Sequence, residues 1–252
     1  MSDESRKSSA VSLIPVAGLV LALAAGAAAA LAGFGGRMDL WNFRTGFAIL
    51  KWAAYGGLAA TVVSLAGAVL TGRMGYLRSV VYGFAGIIVG GAVFALPLHW
   101  RMQAASVPPI HDITTDIIQP PQFVTILPLR KDAPNPAVYG GPEIALKQRT
   151  GYPDIRTLII NAPKPQAFEQ ALAAARAMGW RIVAEESREG RIEAIDTTFW
   201  FGFKDDIVVR VTAADERRSL VDVRSVSRVG RSDVGVNAKR IRVYLRRITT
   251  GR

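Results

Sequence analysis

Three long apolar runs occupy the first hundred residues, and they constrain the fold more than any other feature of the chain. They cover roughly Leu13–Phe34, Phe47–Leu70 and Val80–Leu98. Each is about 19–24 residues long, close to the ~20 that a helix needs to cross a hydrocarbon core about 30 Å thick. Lys51 is the one charged residue inside them, and it lies near an end, where a long stem carries its ammonium to the interface. The first run is too long for a signal-peptide core and two more follow it, so it reads as retained. The chain reads as an integral membrane protein with an attached soluble domain: a three-span module at 1–101, a proline-rich linker at 102–155 and an α+β domain at 156–252.

The three runs carry no Asp, Glu or His at their centres, the groups on which proton relays and ion pathways usually depend. They therefore suit an anchor better than a transporter. Gly18, Ala22, Gly26 and Ala30 recur every four residues, and Gly86 and Gly90 repeat that spacing. Small side chains so spaced let helices approach closely in lipid, within one chain or between copies, so a homo-oligomer is one expectation. Trp41, Trp52, Tyr55, Tyr76 and Trp100 fall near the run ends, as interfacial aromatics do.

The basic residues bear on orientation, although they tie at four on each side. With the N-terminus inside, the inner segments carry Arg6, Lys7, Arg73 and Arg78, and the outer ones Arg37, Arg44, Lys51 and Arg101. Discounting Lys51 as partly intramembrane and counting the free amino terminus favours an internal N-terminus. The expectation is a multi-pass protein of the bacterial inner membrane with a periplasmic soluble domain. The chain has no cysteine, which excludes disulfides, thiolate metal sites and a cysteine nucleophile.

Ten of the thirteen prolines lie between Pro97 and Pro153, which rules out a long helix or a central strand there and predicts an extended connector with turns. Within it, His111, Asp112 and Asp116 could ligate a hard or borderline metal. The other reading, a loop whose Asp and Thr side chains bond their own backbone and pack onto the domain, is preferred, and no cofactor is expected.

Beyond Arg156 the pattern becomes regular. Arg156–Asn161 reads as a strand and Pro165–Met178 as a helix with Phe168, Ala171, Leu172 and Ala175 on one face. Strands follow at Trp180–Glu186, Arg191–Thr198, Asp206–Ala213 and Ser219–Arg228. A last helix at Val234–Ile248, capped by Ser232 or Asp233, would bury Ala238, Ile241, Leu245 and Ile248. The order β-α-β-β-β-β-α predicts an antiparallel sheet with two helices against one face. The apolar Phe199–Phe203 run is either packed or dips into the bilayer interface.

The segment from Asp222 to Ile241, reading DVRSVSRVGRSDVGVNAKRI, together with Phe203–Arg210, the Gly179-Trp180 pair and the His111–Asp116 loop, resembles the bacterial and plastid family called domain of unknown function 1499. The resemblance spans about residues 105–250. It implies a domain boundary and a membrane-anchored form, and it implies no activity.

The formal net charge of +11 is unevenly spread: residues 1–101 carry +5, 102–221 carry −1 and 222–252 carry +7. A localised basic segment points to an anionic partner, the other reading being a solvated face. On the last strand Asp222, Arg224 and Arg228 share the more polar face, with Arg210 placed to pair across to Asp222. The turn Val229–Asp233 then leads into a helix. Arg210, Arg224, Ser227, Arg228, Gly230, Arg231, Ser232 and Asn237 are the candidate anion-binding residues. The competing reading is an Arg–Asp lattice pinning the last strand to the last helix. The expected function is a binding or assembly module at the cell envelope, its partners the bilayer and an anionic lipid, polymer or protein. The alternative is a membrane-anchored hydrolase using carboxylates such as Asp205 and Asp206, which a strand would point to opposite faces. Nucleic acid is not expected, because the aromatics lie outside the basic segment.

Overall fold

The computed structural model describes residues 3–250. The chain divides into two compact units: Met1–Met102 with Phe199–Gly202, and Gln103–Thr198 with Phe203–Arg252.

Unit 1 is built on three helices, α1 (Asp3–Arg37), α2 (Phe43–Arg73) and α3 (Leu77–Ser106). All three are long and apolar enough to cross a membrane. Asn42 caps α2 by accepting hydrogen bonds from the amides of Arg44 and Thr45. The helices meet along small residues. Gly83, Gly86 and Gly90 of α3 are buried, and Gly57 and Gly90 bring the backbones of α2 and α3 together: a Cβ on Gly90 would lie 2.6 Å from the Gly57 carbonyl oxygen. On α1, Gly18 and Ala22 are buried, Gly26 is half-buried and Ala30 is exposed, while Ala25 and Ala32 are buried. A strict four-residue spacing turns about 40° further round a 3.6-residue helix at each step, so the row winds off the contact face.

Unit 2 is an α+β domain with a six-stranded antiparallel sheet. Its strands are β1 (Asp112–Thr114), β2 (Leu158–Ile160), β3 (Arg181–Glu186), β4 (Arg191–Thr197), β5 (Lys204–Ala213) and β6 (Ser219–Ser227). Their order is β1-β6-β5-β4-β3, and β2 also pairs with β6, over Ser219–Val221 where β1 takes Arg224–Val226. Helices α5 (Lys164–Ala177) and α6 (Val236–Thr250) cover one face. There Phe168, Ala171 and Leu172 of α5 and Ala238, Ile241 and Tyr244 of α6 pack with Ile207, Val209, Val221 and Val223. Tyr244 takes the place on the α6 stripe expected of Leu245, which is only partly buried.

All but the first residue of the stretch 102–155, read as an extended connector, is part of this unit. It contributes β1, a short 3-10 turn at Leu127–Arg130 and helix α4 (Gly141–Gly151). The segment between β1 and α4 lies over the second face of the sheet, where Phe123 and Ile126 pack with Ile195, Val208 and Val226. The prolines do exclude long elements, but a three-residue strand needs only its partner: β1 pairs with β6 more than a hundred residues away. Gln148 of α4 closes the outer edge of β1, accepting from the Thr114 amide and donating to its carbonyl.

Candidate functional site

Alternation along β5 and β6 sends neighbouring charges to opposite faces of the sheet. Toward the covering segment point Asp206, Val208 and Arg210 of β5, with Asp222, Arg224, Val226 and Arg228 of or beside β6. Toward α6 point Asp205, Ser225 and Ser227.

The face read as polar is not a solvent face. Arg224 is fully buried and meets Asp112 in a two-pronged pair, Nε to Oδ1 at 2.9 Å and Nη2 to Oδ2 at 2.7 Å. Its guanidinium also donates to the carbonyls of Pro121 and Ala137 and lies 5.2 Å and 5.5 Å from the ring centroids of Phe123 and Tyr139. Burial, reinforced by Asp112, pushes the Tyr139 hydroxyl up to about 12. Asp206, fully buried, receives Arg228 through Nε and Nη2 and sits 3.2 Å from Nη1 of Arg130. Burial lowers the pKa of Arg130, and the charge of Asp206 opposes that shift. Arg210 bridges Asp116 and Asp222 at 2.8 Å each, and the hydroxyls of Thr115 and Thr157 complete the shell of Asp222. Burying these charges is tolerable because each carboxylate has a guanidinium, and Asp116 and Asp222 have further donors in the amides of Ile118 and Gln119 and the hydroxyls of Thr115 and Thr157.

On the α6 face Arg240 binds Asp205 at 2.6 Å and Asp196 at 2.8 Å and contacts Asn237. Asn237 donates to Ser227 Oγ and to the His111 carbonyl, and accepts from Ser225. Asp233 caps α6 by accepting from the amides of Gly235 and Asn237, while Ser232 accepts from Val234. Burial holds the Asp233 carboxyl above its ordinary range against the pull of those two amides.

The eight candidate residues thus divide. Arg210, Arg224 and Arg228 are engaged by aspartates, Ser227 and Asn237 by each other, and Ser232 by the turn. Gly230 takes φ +94° and its carbonyl accepts from Asn135. Arg231 is exposed and has no ion-pair partner among the described residues. The basic excess of the last segment is largely answered from elsewhere: Arg224, Arg228, Arg240 and Arg242 pair with Asp112, Asp206, Asp205 and Asp154. Counting charge by stretches of sequence misses this, because the partners are distant in the chain. Of the described cations in that segment, Arg231, Lys239 and Arg246 are exposed and bound to no carboxylate among the described residues.

Asp112 and Asp116, weighed as metal ligands with His111, are held by Arg224 and Arg210, and no metal-holding group of His, Cys, Asp or Glu occurs among the described residues. Asp205 and Asp206 point to opposite faces, each held by arginine.

Reading the sequence did not single out Glu193. It is fully buried, and it accepts from three successive amides, Val124, Thr125 and Ile126, and from Arg191. A signal was available: Ile195, Val208 and Val226 share its face of the sheet, and apolar residues there mark a second covered surface.

A six-stranded antiparallel sheet covered by two helices on one side and a proline-rich segment on the other, carried by a chain with three membrane-length helices, defines the class. The sequence matches the family described as Protein of unknown function (DUF1499) over residues 112–248, more than half of the chain, and the chain belongs to that family. Neither the curated proteins nor the solved structures give a match.

Proposed function

We propose that this is a multi-pass protein of a bacterial cell membrane whose unit 2 is a binding or assembly module for an anionic partner at the cell envelope. The observation that carries this reading is the set of cations left without carboxylates. Lys239 and Arg246 lie seven residues apart on the exposed side of α6, about 10 Å along its axis. Arg231 precedes the same helix. Anionic groups on a lipid, a polymer or a protein suit such a row, with attraction that salt screens. The eight-residue site is thereby narrowed: Arg231 remains its ligand-facing member, joined by Lys239 and Arg246. The hydrolase reading gains no support from Asp205 and Asp206, which face opposite sides of the sheet, each paired with an arginine.

The test uses the full chain in phosphatidylcholine nanodiscs, with phosphatidylglycerol vesicles and inorganic polyphosphate as probes. Binding that weakens at least tenfold in the triple variant Arg231→Ala, Lys239→Ala, Arg246→Ala, and that fades as salt rises, supports the reading. Binding equal in the variant and the parent refutes it. Paired reporters fused after Arg252, one active outside the cytoplasm and one within, test the proposed periplasmic placement.

A further inference from the structure

Unit 1 includes a short segment remote in sequence from its helices, Phe199–Gly202. Trp200 donates its indole N–H to the Ala30 carbonyl of α1 at 3.1 Å, and Phe201 packs at a tilt against Phe47 with centroids 5.0 Å apart. Arg37 donates to the Phe199 carbonyl at 2.8 Å. The Phe199 ring meets Phe34 edge-on at 5.6 Å yet remains 78% exposed. Met38 and Leu40, just past the end of α1, are exposed as well.

We infer that Phe199 is a bilayer-contacting residue, seated at the boundary between headgroups and acyl chains beside the Arg37 end of α1. This rests on the reading that the three helices span a bilayer. Ala30 lies seven residues before Arg37, about 10 Å along the axis, and Phe34 lies one turn before it. The segment is therefore fixed within the last two turns of a membrane-length helix. That is the depth where an aromatic ring is at home and a basic side chain reaches water. Phe199 meets Phe34 of α1, and both are exposed, so the ring extends the apolar surface that α1 presents along its length; that continuity selects lipid as the occupant. The indole N–H is bonded to helix backbone, so the segment needs no water for its one side-chain donor.

The chain's lack of cysteine makes the test direct. Phe199→Cys and Val62→Cys, both at exposed positions and Val62 within α2, each receive a nitroxide in the full chain reconstituted into phosphatidylcholine–phosphatidylglycerol liposomes. The label at 199 is expected to collide with oxygen severalfold more than with a water-soluble nickel chelate, as is the label at 62, with free label in buffer as the aqueous standard. A water-like label at 199 beside a lipid-like label at 62 overturns the inference and leaves the spanning reading standing. A water-like label at both overturns the two together. A label at 199 shielded from both reagents means that protein covers the site, which also overturns it.

Discussion

Arg224 and Asp112 stand 112 residues apart in sequence and form a doubly hydrogen-bonded ion pair with almost no access to water. The pair joins β6 to β1 at the point where the covering segment leaves the sheet. A guanidinium fork matched to a carboxylate fixes distance and plane together, which an ammonium cannot do.

Removing either member leaves the other charge buried and unpaired. Arg224→Ala and Asp112→Ala should each destabilise the protein by about 3–5 kcal/mol, and Arg224→Lys should recover little of it. Arg176→Ala breaks an exposed pair with Glu185 of similar length and should cost about 0–1 kcal/mol. Thermal unfolding of the nanodisc-reconstituted variants compares them. Equal losses for the buried and exposed pairs would contradict the account.

Asp116 gives a pH signature. Burial would raise its pKa, but the Gln119 amide, the Arg210 guanidinium and the Ile118 amide outweigh that and hold it below the usual carboxylate range. The ionised form is therefore favoured by folding. Its stabilisation is complete above the unfolded value of about 3.9 and is lost as pH falls through the folded value. Asp116→Asn should cost about 1.5 kcal/mol at neutral pH. The gap between variant and parent should begin to shrink as pH falls below about 4, where the unfolded carboxyl protonates, and should close only below the lowered folded value, where the native carboxyl is neutral too. A gap that persists at low pH would assign the loss to packing instead.

The helix contact in unit 1 can be tested by adding single carbons. A methyl at Gly57 would lie 2.7 Å from the Gly90 carbonyl oxygen, and one at Gly90 2.6 Å from that of Gly57. Backbone must yield in either case, so Gly57→Ala and Gly90→Ala should each cost about 1–3 kcal/mol. Gly91, one residue on, has open space where its Cβ would be. Gly91→Ala should be neutral or stabilise by up to about 1 kcal/mol through helix propensity. Melting temperatures in one lipid composition settle the comparison.

These contacts also show what the sequence could and could not tell. The apolar runs, the strands from Leu158 onward and helices α5 and α6 announce themselves through local period, and Arg210 facing Asp222 follows from strand pairing alone. The covering segment does not, because its order comes from distant partners: Asp112 on Arg224, Asn135 on the carbonyls of Ser227 and Gly230, and the amides of Val124 to Ile126 on Glu193. For the same reason a charge count along the chain overstated the free basic surface of the last segment, where Arg224, Arg228, Arg240 and Arg242 find aspartates upstream.

Glu193 offers the sharpest test of how that segment is held. Its two oxygens gather the amides of Val124, Thr125 and Ile126 at 2.8–3.0 Å, and Arg191 balances the charge. Glu193→Gln keeps the size but replaces one acceptor oxygen with an NH2 group. Either the Ile126 amide or the Val124–Thr125 pair must then face a donor and lose its bond. Hydrogen bonds to a charged acceptor contribute about 1.5–3 kcal/mol, so hydrogen exchange at residues 124–126 should accelerate about tenfold to a hundredfold. Amides of α5, on the opposite face of the sheet, should keep their protection, because the segment can loosen without opening the helix-covered core. Acceleration across both faces would show that the covering segment and the core open as one unit. No change at 124–126 would mean that the apolar seating of Phe123 and Ile126 suffices to hold them.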